Sequence, residues 1–121
     1  MAGAKSRILV VEDEPLVAMM IEDTLIALGY DVIGPAASVG DALALIESEG
    51  IDGGLLDVNL GHDERSYPVA ERLASRRTPF IFVTGYGAAA IDRRFNAVPV
   101  LQKPFGANDL QRHLFAVLRP A

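Results

Sequence analysis

The chain has no cysteine among its 121 residues, which excludes disulfides and thiolate metal sites and fits a reducing compartment. Excess basic charge is missing too: 11 Lys and Arg against 16 Asp and Glu leave a net charge of -5. Such a surface argues against non-specific nucleic-acid binding and against a basic helix lying on a membrane. Long hydrophobic runs are also absent. Met1-Ala2-Gly3-Ala4-Lys5-Ser6-Arg7 leads into only four apolar residues, Ile8-Leu9-Val10-Val11, too few for a signal-peptide core or a membrane span. The expected setting is therefore the cytoplasm. No internal repeat or low-complexity segment breaks the chain. What is present is a 50% share of hydrophobic residues, enough for one domain with a real core over residues 1–121 and no second one. Arg119-Pro120-Ala121 reads as a natural end.

The organising stretch is Gly53-Gly54-Leu55-Leu56-Asp57-Val58-Asn59-Leu60-Gly61, an apolar run that stops on a carboxylate and turns polar. Between glycines, such a run reads as a buried central strand with Asp57 at its exit. Before it, Ile8 to Val11 reads as a buried strand running into Glu12-Asp13-Glu14-Pro15, where acidic residues and a proline open a helix that Gly29 stops near Leu28. Val17, Ile21, Thr24, Leu25 and Leu28 fall on its inward face, leaving Met19 and Ile26 pointing away. Asp31-Val32-Ile33-Gly34-Pro35 reads as a strand ended by its glycine-proline stop, and Ser38 to Glu49 as a helix with Ala42, Leu43, Leu45 and Ile46 apolar.

After Asp57, the polar stretch Gly61 to Ser66 reads as a mobile loop and Tyr67 to Arg76 as a third helix. Pro79 to Val83 is a strand ending at Thr84-Gly85-Tyr86-Gly87. Ala88 to Phe95 is expected to be a short helix, Pro99 to Leu101 a brief strand before Gln102-Lys103-Pro104, and the stretch from Asn108 as cap to Leu118 a last helix. His62 and His113 read as a loop residue and a helix-face residue rather than ligands, and Phe115 as partial core.

Five strands alternating with five helices imply an α/β fold, a doubly wound (βα)5 parallel five-stranded sheet of the flavodoxin-like kind, with strand order 2-1-3-4-5 and a site at the carboxyl ends near the switch point. Those ends carry Glu12, Asp13 and Asp57, with Thr84 and Lys103 from the last two strands. Three carboxylates held together resist full ionisation unless a cation joins them. Oxygen ligands with room for water and phosphate suit Mg2+ better than zinc. Asp57 is then placed to attack phosphorus as a carboxylate nucleophile, with Lys103 and the Thr84 hydroxyl facing the phosphoryl oxygens. Gly85 removes bulk beside that group, and Pro104, through its restricted and potentially cis peptide bond, fixes where the Lys103 ammonium points.

Taken together, Glu12-Asp13 after strand 1, Asp57 after strand 3, Thr84 after strand 4 and Lys103-Pro104-Phe105 after strand 5 resemble a CheY-like receiver domain of a two-component response regulator. The resemblance spans essentially the whole chain and implies a stand-alone, single-domain type without an output domain. It implies that Asp57 accepts a phosphoryl group from a phosphohistidine of a sensor histidine kinase or a histidine phosphotransfer protein. Asp13, Asp57 and the backbone carbonyl of Asn59 would ligate Mg2+, and Glu12 would act through water. Thr84 and Lys103 would bind phosphoryl oxygens, and a downstream protein would read the face made by helix 4, strand 5 and helix 5. Such a domain is a phosphoacceptor rather than an enzyme, catalysing only its own phosphorylation and dephosphorylation. Kinase docking falls on the first helix, where Leu16, Met19, Met20 and Ile26 are the candidates.

Two positions depart from the common pattern. Val100 stands three before Lys103, where many receivers have an aromatic, and Gly61 stands four after the acceptor, where many have proline. Phe82-Val83-Thr84-Gly85-Tyr86 instead resembles the Phe-Ala-Thr-Gly-x-Tyr signature of the FATGUY subgroup, linked to kinases of the HWE or HisKA2 kind, which makes Tyr86 the candidate mobile aromatic. The competing classes are a receiver-like binding module that works without phosphate, a small aspartyl-phosphate phosphatase, and a flavodoxin-like cofactor binder. Asn59 stands where the phosphatase would place a general acid, and Glu12-Asp13-Glu14 stands where a phosphate-cradling turn would need hydroxyls or glycines.

Overall fold

A computed structural model of the chain describes residues 5–118; Met1 to Ala4 and the Arg119-Pro120-Ala121 end lie outside the described residues. Five strands, β1 (Arg7–Val11), β2 (Asp31–Ala36), β3 (Gly53–Asp57), β4 (Phe80–Thr84) and β5 (Val100–Gln102), form one sheet in the order β2-β1-β3-β4-β5. Every pairing is parallel. The helices are α1 (Pro15–Ala27), α2 (Val39–Ser48), α3 (Tyr67–Ser75) and α4 (Ala107–Leu118).

The sheet divides the core by simple alternation of side chains along each strand. Leu9, Val11, Leu56, Phe80 and Phe82 face α2 and α3, meeting Ala42, Ile46, Val69, Ala70 and Leu73. Ile8, Val10, Leu55, Ile81 and Val83 face the other way, meeting Ile21 and Leu25 of α1 and Leu110 and Leu114 of α4. Residues Ile8–Val11 and all of β3 and β4 are buried on both faces, which is why these strands read as continuous apolar runs. In β3 the two glycines let the layers close in. A methyl on Gly53 would sit 2.9 Å from Leu118 Cδ2, and one on Gly54 3.0 Å from Leu73 Cδ1.

Four expectations need correction. The stretch Ala88 to Phe95 is not an α-helix but two 3-10 turns, Ala88–Ala90 and Arg93–Phe95. Asp92 divides them, because its carboxylate accepts the Arg94 N–H and competes with the helical ladder. There are thus four α-helices among the described residues, and what was expected as helix 5 is α4. Second, Gly34-Pro35 does not end β2, which runs on to Ala36. The pair forms a one-residue bulge: Leu9 pairs with Ile33 but Val11 with Ala36. Because β2 is an edge strand, the missing N–H of Pro35 breaks no pairing. Gly34 is required there, since its φ is +102° and a methyl would lie 2.8 Å from the Ala36 nitrogen. The Gly34-Pro35 and Lys103-Pro104 bonds are both cis.

Third, α4 starts at Ala107, with the Gly106 carbonyl accepting the Leu110 N–H, so Asn108 lies inside its first turn rather than capping it. Fourth, the polar loop after β3 is pinned. The Glu64 N–H donates to the Gly61 carbonyl, the Leu60 N–H to the Glu64 carbonyl and the Ser66 N–H to the Val58 carbonyl. Glu64 also accepts the Val39 N–H at 3.0 Å, satisfying one of the donors that the first turn of α2 leaves open. Within α1, Ala18 is buried beside Ile21 and Leu25, while Val17, Thr24 and Leu28 are only partly covered.

Candidate functional site

The carboxyl ends of β1, β3, β4 and the segment after β5 bring the expected residues to one edge of the sheet. Glu12 and Asp13 leave β1, Asp57 is the last residue of β3 and Thr84 the last of β4, and Lys103 follows β5. Carboxylate oxygens of Glu12, Asp13 and Asp57 all lie within 4.8 Å of one another. Glu12, Asp57 and Thr84 are buried while Asp13 is half-buried. An open cleft of about 750 Å³ lies above them, lined by Asp57, Asn59, Arg65, Thr84, Tyr86 and Lys103 among others.

Lys103 closes the cluster. Its Nζ donates to Glu12 Oε1 at 2.8 Å and stands 3.5 Å from Asp57 Oδ1. Burial alone would lower the ammonium's pKa, but the Glu12 hydrogen bond and the charges of Asp57, Glu12 and Glu14 outweigh it and hold the pKa above its ordinary value. The opposite balance holds at Asp57. Desolvation, followed by repulsion from Glu12, overcomes the attraction of Lys103 and pushes the carboxyl up from 3.8 to about 7. A single lysine does not neutralise three neighbouring carboxylates. An all-oxygen donor set with this deficit fits a hard divalent cation better than any zinc-type site, and neither histidine belongs to the cluster.

The rest of the edge is arranged around Asp57. Thr84 Oγ1 accepts the Tyr86 N–H at 3.1 Å, so the turn at Gly85 is tied to the hydroxyl while the Tyr86 ring stays exposed. Gly85 has open space where a Cβ would stand, which leaves the cleft unobstructed on that side. The cis bond to Pro104 follows directly on Lys103. Asn59 pairs with Arg65 in an isolated antiparallel bridge. At the tip of this hairpin Gly61, His62 and Asp63 all have positive φ. A methyl on Gly61 would sit 2.9 Å from Asp13 Oδ2. The glycine therefore lets the hairpin come down onto the acidic pair, a closer approach than its sequence suggested.

Of the docking candidates, Leu16, Met19, Met20 and Ile26 are each more than half exposed. Of the four, Met20 alone lines the apolar groove of about 350 Å³ between α1 and the start of α4, with Val17, Ile21, Thr24, Pro104 and Phe105. Where helix 4 of the expected reading face would stand, the chain has the two 3-10 turns. There Phe95 stacks on Tyr67 at 5.5 Å and meets Phe82 edge-on, and the Tyr67 hydroxyl accepts the Asp92 N–H. Val100 is partly buried beside this aromatic group. Phe115, expected as partial core, is exposed. Arg65 also lines the cleft, although eight residues past Asp57 no motif in the sequence marks it; the bridge to Asn59 carries it there.

Residues 8–115 match the family described as response regulator receiver domain. Among solved structures, the chain is similar to SdrG from Sphingomonas melonis Fr1, with 48% identity and a TM-score of 0.86 over 98% of this chain and 100% of that one. The BeF3-activated conformation of SdrG is similar at 49% identity and a TM-score of 0.82, with the same coverage. A receiver domain of a sensor histidine kinase from Pseudomonas aeruginosa PAO1, solved with a magnesium ion in its active-site cleft, is 32% identical with a TM-score of 0.80, over 95% of this chain and 98% of that one. The transcriptional regulatory protein PdtaR of Mycobacterium tuberculosis is 28% identical over 112 residues, 90% of this chain and 55% of that protein. The chain thus spans about half the length of this curated relative.

Proposed function

Since this chain belongs to the response regulator receiver family of two-component signalling, we propose that it is a phosphoacceptor in which Asp57 takes a phosphoryl group from a phosphohistidine of a sensor kinase or phosphotransfer protein. The observation that carries this reading is the convergence of Asp57 with two further carboxylates and Lys103 at one sheet edge, with Lys103 Nζ bonded to Glu12 at 2.8 Å and 3.5 Å from Asp57. Asp57 Oδ forms the new bond to phosphorus, the phosphorus–nitrogen bond of the donor breaks, and its electron pair returns to the imidazole. Ionised Asp57 is the nucleophile, and its neighbours set how easily it ionises. Lys103 and Thr84 meet phosphoryl oxygens, and Gly85 leaves space for them.

Asp13, Asp57 and the Asn59 carbonyl would hold Mg2+, with Glu12 reaching it through water. Bound there, the ion supplies neutralising charge to the carboxylates and to the phosphoryl oxygens. Asp13 and Glu12 keep the acidic pocket shaped, and the Gly61 hairpin sits against Asp13. Leu16, Met19, Met20 and Ile26 serve as docking residues for the donor, and Tyr86 replaces the missing aromatic at Val100 in the switch, as in FATGUY-type receivers paired with HWE or HisKA2 kinases. The downstream partner reads the 3-10 turns, β5 and α4. Tyr86 follows directly on the Gly85 turn, whose Tyr86 N–H bond to Thr84 Oγ1 is released when the hydroxyl turns to a phosphoryl oxygen.

The test is an intact mass spectrum after incubation with Mg2+ and acetyl phosphate, beside Asp57→Asn and a sample with EDTA, repeated with a phosphorylated histidine kinase as donor. A single phosphoryl adduct lost in both controls is expected. No adduct from either donor, with the fold intact, would leave a receiver-shaped binding module that works without phosphate.

A further inference from the structure

The cleft holds a second cation, Arg65, which is one of three arginines among the described residues, with Arg77 and Arg93, that no carboxylate matches, and of these it alone lines the Asp57 cleft. Arg7, Arg72, Arg76, Arg94 and Arg112 are each matched to a carboxylate. Among the described residues the Arg65 guanidinium has no hydrogen bond, ion pair or ring partner, and it lines the same cleft as Asp57, Thr84 and Lys103. Its backbone aims it there. Residues opposite one another in an antiparallel bridge project to the same side, and the residue opposite Arg65 is Asn59, which lines the cleft as well. The hairpin that carries both is closed by the Leu60–Glu64 and Ser66–Val58 bonds at 2.9 and 3.0 Å and anchored to α2 through Glu64 and the Val39 N–H.

A phosphoryl group on Asp57 presents three oxygens. Thr84 offers one hydroxyl, and Lys103 is a point charge already shared between Glu12 and Asp57. A guanidinium offers a planar fork of donors suited to two phosphoryl oxygens at once, and it stays charged at any working pH. We propose that Arg65 is a phosphoryl-binding residue whose guanidinium donates to the group on Asp57 once that group is present. This rests on Asp57 being the acceptor. In the resting state Arg65 contributes nothing by direct bonding; in the phosphorylated state it and Lys103 grip the group from two sides.

Three measurements on Arg65→Gln and Arg65→Lys test it: adduct formation by intact mass with the donors above, beryllofluoride affinity at saturating Mg2+, and Mg2+ affinity alone. Both variants still form the adduct. Arg65→Gln binds beryllofluoride about tenfold more weakly, the loss of one solvent-screened charge-assisted bond, and Arg65→Lys recovers only part of it. Mg2+ alone binds Arg65→Gln as tightly as wild type or tighter, because a positive charge beside the site is gone. A structural role would instead weaken both ligands together. Beryllofluoride affinity within twofold of wild type in Arg65→Gln, or an equal loss of Mg2+ affinity, overturns the role of Arg65 while leaving Asp57 as acceptor. A wild type that takes neither phosphoryl group nor beryllofluoride overturns both.

Discussion

Replacing Asp57 with Asn should make the metal-free protein more stable, and the gain should grow as pH rises through the range in which burial and Glu12 keep this carboxyl protonated. Asp57 is 7% exposed, and burial and Glu12 push its carboxyl from 3.8 in the unfolded chain to about 7. The folded state therefore holds a proton that the unfolded state gives up. The resulting destabilisation is absent below pH 3.8, grows between pH 3.8 and about 7, and is complete above 7. About three pKa units correspond to ~4 kcal/mol at most, with water in the open cleft reducing the observed value to ~2–4 kcal/mol. The assay is urea unfolding of wild type and Asp57→Asn at pH 5 and pH 8 with EDTA, then with Mg2+. At pH 8 the variant gains ~2–4 kcal/mol, at pH 5 only ~1–2, and saturating Mg2+ narrows the difference by binding wild type more tightly. Equal stability at pH 8, or a gain independent of pH, would refute the account of Asp57 as a proton-holding member of an under-neutralised triad.

Gly61→Ala and Gly29→Ala both place a methyl at positive φ, costing roughly 1–2 kcal/mol each, but only the former stands 2.9 Å from Asp13 Oδ2, while Gly29 has nothing within 4 Å. Calorimetric titration should show Mg2+ affinity falling several-fold in Gly61→Ala and unchanged in Gly29→Ala. Ser66 Oγ is buried without a hydrogen-bond partner, so Ser66→Ala should cost nothing and gain up to ~1 kcal/mol in urea unfolding; a loss of 1 kcal/mol would mean the hydroxyl has a partner. Phe95→Ala removes a ring that meets Tyr67, Phe80 and Phe82 and should lower thermal stability by ~3–4 kcal/mol. Met20→Glu should slow phosphotransfer from the cognate kinase about tenfold while acetyl phosphate labelling stays the same; an equal effect on both would remove α1 from docking.

The strands and their order were legible because β1, β3 and β4 are buried on both faces, so Ile8 to Val11, Leu55-Leu56 and Phe80 to Val83 carry unbroken apolar signals bounded by turns. The positions of Glu12, Asp13, Asp57, Thr84 and Lys103 followed from that order, since a parallel sheet gathers its carboxyl ends. What stayed hidden depends on contacts between distant residues. Gly34-Pro35 reads as a stop unless β2 is known to be an edge that tolerates a bulge. The Gly61 to Ser66 loop reads as loose unless the Glu64 bond to Val39, 25 residues away, is known. Ala88 to Phe95 has helix-forming alanines, yet one carboxylate at Asp92 divides it. Arg65 carries no local signal at all.

The bond between Lys103 and Glu12 joins residues 91 positions apart, and this has a consequence for a chain emerging from a ribosome. Glu12, Asp13 and Asp57 are all made at least 46 residues before Lys103, a lag of roughly 2–9 s at ordinary synthesis rates. During that interval the three carboxylates lack the ammonium that faces them in the finished domain, and their mutual repulsion opposes the alignment of β1 with β3 unless a proton or a metal ion offsets it. The order of residues along the chain thus makes the nascent half-sheet more acid- and cation-sensitive than the finished domain, whose single ammonium offsets only part of the charge. Folding of the amino-terminal half should respond to divalent ions during synthesis far more than refolding of the complete chain does.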